Sequence, residues 1–98
     1  MISVFVKFRY PGNFDEQSLR NIAAAARGKF EGMPGLRSKA FTLDCERREA
    51  TNFYVWESAE AAAAFFTDAL TERLTSLYGV RPAIEFAQVA AFVDNARA

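Results

Sequence analysis

Apolar and polar residues alternate at the start of the chain, where one side of the segment from Ile2 to Tyr10 is apolar throughout. That side carries Ile2, Val4, Val6, Phe8 and Tyr10. The other side is mixed and carries Ser3, Phe5, Lys7 and Arg9. A period of two is typical of a β-strand, so the pattern predicts a strand over Ile2–Tyr10.

The period then changes to that of a helix. After the break at Pro11-Gly12, Asn13 or Asp15 suits the cap position, and Gly28 or Gly32 suits the end. Between them the apolar residues recur at a spacing of three and four, namely Leu19, Ile22, Ala23, Ala26 and Phe30. The spacing predicts an amphipathic helix with one face directed to a core.

A hairpin is predicted next. Leu36–Leu43 and Thr51–Glu57 both alternate, and the charged segment Asp44–Glu49 lies between them. On the second of these strands, one side carries Thr51, Phe53 and Val55, and the other carries Asn52, Tyr54 and Trp56.

A second helix and a last strand complete the pattern. Ser58 is a suitable cap for a helix whose apolar stripe continues to Tyr78, where Gly79 and Pro82 prevent its continuation. The segment Ala83–Val93 alternates again and predicts the fourth strand.

The order of elements is therefore β-α-β-β-α-β, which is the ferredoxin-like α+β fold, in one domain over residues 1–98. Right-handed crossovers would place both helices on one face of a four-stranded antiparallel sheet. The opposite face would then need a second copy of the chain, since several residues assigned to it are aromatic. These are Phe5, Tyr54, Trp56, Phe86 and Phe92. We therefore expect a homodimer.

The composition of the chain narrows the range of functions that it could have. Twelve basic and twelve acidic residues give a net charge of zero, which argues against nucleic acid as a partner. The chain has no apolar run long enough for a bilayer, so a cytoplasmic protein without a membrane partner is expected. It contains no histidine and one cysteine, which excludes Ser-His and Cys-His catalysis. With no nucleotide-binding motif and no cluster of metal ligands, we expect no cofactor and no metal.

Asn52, Tyr54 and Trp56 project from one side of their strand and are the candidates for chemistry. An amide and a phenol could hold a carbonyl or phenolic oxygen while the indole stacks on an aromatic ligand. The wider set of candidates for substrate binding is Phe5, Lys7, Tyr54, Phe86, Gln88 and Phe92. Lys7 or Arg9 would balance a phenolate. The alternative is that the aromatic residues pack the dimer and that Lys7, Arg9 and Lys39 are solvated.

Several segments resemble those of a known family. These are Phe8-Arg9-Tyr10, Met33-Pro34-Gly35-Leu36, and Asn52-Phe53-Tyr54-Val55-Trp56 followed by Ser58-Ala59-Glu60-Ala61. Over roughly residues 2 to 94 the chain is similar to the dimeric α+β barrel superfamily, and within it to the mono-oxygenases of the YdhR type.

That resemblance implies an oxygenase that needs no cofactor and acts on a small phenolic substrate. The quinone-forming members have an Asn and a Trp four residues apart on the third strand, which makes Asn52 and Trp56 the catalytic candidates. Haem-degrading members need a histidine, which this chain lacks.

Other functions fit parts of the pattern. The same dimer could bind or store a small aromatic molecule without turnover, or serve only as a structural or regulatory module. RNA-recognition domains share the element order, but their aromatic residues lie in a glycine-containing basic segment, which Thr51–Val55 does not match.

Overall fold

The structure is a computed structural model that describes residues 1–96, so the last two positions of the predicted domain lie outside the described residues. It contains four strands and three helices. They are β1 (Ile2–Arg9), α1 (Glu16–Phe30), β2 (Leu36–Asp44), β3 (Glu49–Trp56), α2 (Ala59–Phe65), α3 (Asp68–Tyr78) and β4 (Ala83–Gln88). No helix within residues 1–96 is long and apolar enough to cross a membrane.

The strands form one antiparallel sheet in the order β2-β3-β1-β4. This confirms the predicted ferredoxin-like fold, in which the first and third strands occupy the centre of the sheet. Strand β1 contacts β3 on one side and β4 on the other, so its apolar row lies at the middle of the molecule.

The cap of α1 is Asp15, one of the two predicted candidates. Its carboxylate accepts a hydrogen bond from the backbone N–H of Ser18 at 3.0 Å. The helix ends at Phe30, and Gly32 then takes a positive φ of 72°. Leu19 is its most deeply buried residue, which fixes the direction of its apolar stripe.

The helix predicted from Ser58 to Tyr78 is interrupted, and this part of the prediction is wrong. Helix α2 ends at Phe65, and α3 begins at Asp68 with Thr67 as its cap. The Thr67 hydroxyl accepts a hydrogen bond from the backbone N–H of Leu70 at 3.1 Å. The apolar stripe continues across the break, and this is why spacing alone conceals a new helix start.

The predicted fourth strand is too long, because its pairing partner ends first. Gln88 lies opposite Ile2, the first residue of β1, and the N–H of Val89 bonds the Met1 carbonyl at 3.1 Å. Beyond that point β1 offers no further backbone groups. Phe92 therefore lies outside the strand, with its ring centroid 5.2 Å from the guanidinium of Arg37.

The register between strands decides which residues face the helices. Tyr54 lies opposite Val4 and Asn52 lies opposite Val6, and residues directly opposite each other share a face. We call this side the helix-side face; on the two central strands it comprises Ile2, Val4, Val6, Phe8, Ala50, Asn52, Tyr54 and Trp56. The other side, the open face, comprises Ser3, Phe5, Lys7, Arg9, Glu49, Thr51, Phe53 and Val55.

Candidate functional site

Four polar side chains lie on or against the helix-side face, where the surroundings are mostly apolar. They are Lys39, Asn52, Tyr54 and Tyr78. Asn52 and Tyr54 come from β3, Lys39 comes from the neighbouring strand β2, and Tyr78 ends α3. Buried polar groups require hydrogen-bond partners, and these four supply them to one another in two pairs.

The first pair is Asn52 with Tyr78. Asn52 is 3% exposed, and its Nδ2 donates a hydrogen bond to the Tyr78 hydroxyl at 3.1 Å. The Tyr78 ring stacks on Phe8 with 3.8 Å between centroids, and its backbone carbonyl accepts a hydrogen bond from Tyr10 at 2.7 Å. Burial raises the pKa of Tyr78 and outweighs the hydrogen bond from Asn52, so the phenol is neutral at physiological pH.

The second pair is Lys39 with Tyr54, which lie opposite each other on β2 and β3. Lys39 Nζ donates to the Tyr54 hydroxyl at 2.8 Å. Burial, together with the charge of Lys29, lowers the pKa of Lys39 to about 7. Burial also raises the pKa of Tyr54, with a smaller contribution from Tyr78. The interpretation of Lys39 as a solvated lysine is therefore wrong.

Asn52 lies between two cavities. The larger, of about 240 Å³, opens between α1 and the strands β2 and β3. Its lining comprises Leu19, Arg20, Ala23, Phe41, Thr42, Leu43, Ala50, Asn52 and Tyr78. The smaller, of about 50 Å³, is shared by Asn52 with Lys39, Tyr54 and Tyr78. Phe41 lines both cavities.

Trp56 does not reach either cavity. It is 2% exposed and packs against Phe65 and Phe66, with ring centroids 5.2 Å and 6.0 Å away. Tyr54 stands between it and Asn52, stacked on the indole at 6.0 Å. The indole N–H of Trp56 has no hydrogen-bond partner among residues 1–96.

The predicted binding residues divide between the two faces of the sheet. Phe5 and Lys7 lie on the open face, where Phe5 contacts Phe53 at 4.7 Å and Lys7 Nζ lies 3.6 Å from Glu49. Lys7 therefore cannot meet an oxygen held at Asn52. The prediction that Phe5 shares a face with the Asn52 row is wrong, since strand alternation relates residues only within one strand.

Phe86 and Gln88 lie on the helix-side face of the edge strand β4, because Phe86 pairs with Val4 and Gln88 pairs with Ile2. The Phe86 ring contacts Phe66 of the helix layer at 5.7 Å. The assignment of Tyr54, Trp56 and Phe86 to the open face is thus also wrong. Neither Phe86 nor Gln88 lines the cavities at Asn52.

Two residues of the site were not predicted from the sequence. Tyr78 was interpreted only as a helix end, although a tyrosine closing an apolar stripe has a hydroxyl that must find a buried partner. Lys39 shares its side of β2 with Phe41 and Leu43. A lysine within an otherwise apolar row was the signal that could have identified it.

A family model described as "Putative mono-oxygenase ydhR" matches residues 4–91. The chain belongs to this family. The match includes all three helices and all four strands except the first two residues of β1, so the mono-oxygenase family and the ferredoxin-like fold describe the same part of the chain. No curated protein matches it.

Solved structures of mono-oxygenases share the fold. A monooxygenase of Streptomyces coelicolor in complex with nanaomycin D is 22% identical, with a TM-score of 0.71, covering 94% of this chain and 89% of that one. A protein of Bordetella bronchiseptica described as "Putative antibiotic biosynthesis monooxygenase" is 19% identical, with a TM-score of 0.68, covering 92% of this chain and 97% of that one. SnoaB, a cofactor-independent oxygenase from Streptomyces nogalater, is 13% identical, with a TM-score of 0.65, covering 94% and 95%.

Proposed function

We propose that this member of the YdhR family is a cofactor-independent mono-oxygenase that oxidises a small phenol bound beside Asn52. The observation that carries the proposal is a buried amide at the boundary of a cavity of about 240 Å³. Family membership supports the reaction class, and a structural neighbour described as a cofactor-independent oxygenase supports the absence of a prosthetic group.

The reaction uses the electrons of the substrate. A phenol with a free para position loses its proton, and the resulting phenolate is electron-rich enough to reduce oxygen. One oxygen atom enters the ring as a quinone carbonyl, and the other leaves as water. The protein then has three tasks, namely promoting deprotonation, holding the ring against oxygen, and excluding water.

Asn52 suits the stabilisation of the phenolate oxygen. Its amide nitrogen carries two N–H groups, and the Tyr78 hydroxyl accepts one of them. The second is free to point at a ligand oxygen, and a donor in a dry site stabilises developing negative charge strongly. Trp56 enters the proposal as a positioning residue that supports the Tyr54 ring rather than as a group that contacts the substrate.

The cavity favours a compact ligand. Its volume of about 240 Å³ lies below the ~300–1,000 Å³ usual for sites that bind drug-sized molecules. Leu19, Phe41 and Ala50 supply apolar walls, and the polar residues of the lining are Arg20, Thr42, Asn52 and Tyr78. A phenol with one or two rings matches this combination of size and polarity.

A binding module is the second candidate. The bond between Asn52 and Tyr78 satisfies the amide without a ligand, as expected where polarity alone is needed. In that case the cavity would hold an aromatic molecule without turnover. The two candidates differ in oxygen consumption.

The test compares Asn52→Ala with Thr51→Ala, the adjacent residue of β3 on the open face. With 1-naphthol as substrate, Asn52→Ala should lower the rate of oxygen uptake roughly 10²–10³-fold, as expected for loss of an oxyanion donor. Naphthol affinity should change much less. Thr51→Ala should leave both unchanged, and melting temperatures of both variants show whether each remains folded.

Two results would contradict the catalytic assignment. Full activity in a folded Asn52→Ala variant would remove the role of the amide. Tight naphthol binding without oxygen uptake in the wild type, across a panel of naphthols and anthrones, would favour the binding module.

The open face completes the proposal, because we propose that it pairs with a second copy of the chain. Phe5 is 41% exposed and packs beside Phe53, giving the face an aromatic centre. Lys7 and Arg9 surround it together with Glu49, so both charge signs are present and two copies related by a twofold axis can match them. We expect an interface of at least about 1,200 Å² in total.

A further inference from the structure

Lys39 is a lysine without an acidic partner in a mostly aromatic environment. Its Nζ lies 3.4 Å from the ring centroid of Phe30, 4.1 Å from that of Tyr54 and 4.2 Å from that of Phe41. Its hydrogen bond goes to a phenol, Tyr54, and the ion pairs among residues 1–96 do not include it. Lys39 is half-buried, and a lysine partly withdrawn from water with no anion beside it needs an explanation.

The charged groups around Lys39 disfavour its protonated form. Lys29 of α1 lies near the same Phe30 ring, with its Nζ 5.4 Å from the centroid. The groove outside Lys39 carries the side chains of Arg27, Glu31 and Arg37. The neutral phenols Tyr54 and Tyr78 face it from β3 and α3. Burial is the main cause that lowers the pKa of Lys39 to about 7, and the charge of Lys29 adds to it.

Lys39 also reaches the site at Asn52. Both residues line the cavity of about 50 Å³, which exceeds the ~30 Å³ that one water occupies in the liquid. The polar groups of Lys39, Asn52, Tyr54 and Tyr78 surround this cavity, and a water needs two to four such partners. A water in this cavity could therefore connect a ligand oxygen at Asn52 with the amine of Lys39.

We propose that Lys39 is the proton acceptor for the bound phenol and then the counter-charge of the phenolate. In this step the phenolic O–H bond breaks and its electron pair stays on oxygen. The proton moves to the neutral amine of Lys39, through one water in the small cavity. The charged product is a buried ion pair rather than a lone anion, which makes deprotonation in a dry site feasible. The choice of ligand rests on the proposed function; the proton transfer itself does not need turnover.

The first experiment measures proton transfer without oxygen. Under anaerobic conditions, 1-naphthol is added to the wild type at a pH where free naphthol is neutral, and the absorption band of naphtholate is recorded. We expect the bound ligand to show the naphtholate band in the wild type. In Lys39→Met, which keeps the length and contacts of the side chain, the band should fall at least tenfold.

Lys29→Met is the matched control, because Lys29 lies beside the same Phe30 ring but makes no hydrogen bond to Tyr54. It should retain the naphtholate band. Its effect should be a rise in the pKa of Lys39, since one of the two causes of the lowered value is removed. With three lysines in the chain, NMR titration of labelled lysine side chains can follow Lys39 directly, and a midpoint near 7 is expected.

The second experiment uses oxygen uptake against pH. The wild-type rate should rise through a pH near 7 as the amine loses its proton. In Lys39→Met that rise should disappear and the rate should fall roughly 10²-fold or more, as for loss of a general base. Lys39→Arg keeps a positive charge that cannot be removed near neutral pH. It should show the same loss, which separates proton acceptance from charge alone.

The proposal is overturned if Lys39 titrates near the ordinary lysine value, or if folded Lys39→Met retains the naphtholate band. If Lys39→Met retains the wild-type rate of turnover, the role of Lys39 as proton acceptor is overturned and the mono-oxygenase function stands. If the wild type shows the naphtholate band but takes up no oxygen, the role of Lys39 as proton acceptor is supported and the oxygenase function is contradicted.

Discussion

The two faces of the central strands carry similar residue types in very different environments. On the helix-side face, Val4, Val6 and Phe8 are fully buried. On the open face, Phe5 is 41% exposed and Lys7 is half-buried, although Ser3 at the end of the strand is buried. Both faces include phenylalanine, so residue type alone does not distinguish the core from a surface that awaits a partner.

Charged and polar groups differ between the faces in how they are paired. On the open face, Lys7 and Arg9 both pair with Glu49, at 3.6 Å and 3.1 Å. On the helix-side face, Lys39 and Asn52 have only phenol partners. Polar groups that are hydrogen-bonded only to neutral partners have no opposite charge beside them. In a low dielectric they can therefore interact strongly with a charged ligand. The helix-side face is therefore the chemically responsive one.

The largest expected effect is the difference in stability lost when a phenylalanine is removed from one face or from the other. Phe8→Ala removes a fully buried ring that stacks on Tyr78 at 3.8 Å, and it should lower the free energy of unfolding by about 3–5 kcal/mol. Phe5→Ala should cost at most about 1 kcal/mol at a protein concentration where the chain is monomeric, since its ring is partly exposed. Urea unfolding of the two variants measures both values. Equal costs would show that the two faces do not differ as described.

The next effect concerns association. Phe5→Glu places a charge at the aromatic centre of the open face and should weaken the proposed dimer by about 2 kcal/mol or more, which is roughly 30-fold in Kd. Light scattering at micromolar concentration should report twice the monomer mass for the wild type and a lower mass for Phe5→Glu. Circular dichroism should be unchanged, because the side chain lies outside the core. A monomeric wild type would contradict the dimer.

The smallest expected effect is a gain of stability. Lys39→Met removes an amine whose pKa is lowered to about 7 in the folded chain. The unfolded chain binds the proton more tightly, so protonation opposes folding at pH 7 and below. Because Lys39 is only half-buried, solvent screens much of this penalty, and a gain of about 1 kcal/mol, or about 4–8 °C in Tm, is expected at pH 7. Lys7→Met, on the open face, should give no gain.

The lowered pKa of Lys39 fixes the direction in which stability changes with pH. Between pH 7 and about 10 the unfolded chain holds a proton on Lys39 that the folded chain has released, so wild-type stability should rise with pH in that window. Lys39→Met should lack this rise, and its advantage should shrink toward pH 10. Thermal melts of both proteins at pH 7, 8 and 9 measure the slope. A wild-type stability that falls through this window, with Lys39→Met following the same curve, would contradict the lowered pKa.

Much of the fold could be predicted because each element has a local cause. Alternation identified the strands, and Asp15 and Ser58 are caps at the positions where caps were expected. The break at Thr67 and the early end of β4 at Gln88 could not be predicted in the same way. The break at Thr67 is hidden because the apolar stripe continues across it. The end of β4 depends on where its pairing partner β1 begins.

The candidate site was predicted only in part. Asn52 was identified as a cavity residue through its strand and the family resemblance, but its cavity lies under the helices rather than in the dimer face. Its partner Tyr78 is 26 residues away in the chain, and Lys39 meets Tyr54 across 15 residues. Contacts at that separation depend on the packing of α3 and β2 against β3, which no local pattern encodes.

The sequence by itself determined which residues of one strand lie on the same side. Alternation places Asn52, Tyr54 and Trp56 on one side of β3, and Val4 and Val6 on one side of β1. Tertiary structure alone decided that these two rows share a face, since Val6 lies opposite Asn52. Side chains alternate with a period of two, so a shift of one residue between β1 and β3 would exchange every buried and exposed position. Pairing of separate strands sets that register, and with it the face on which the chemistry lies.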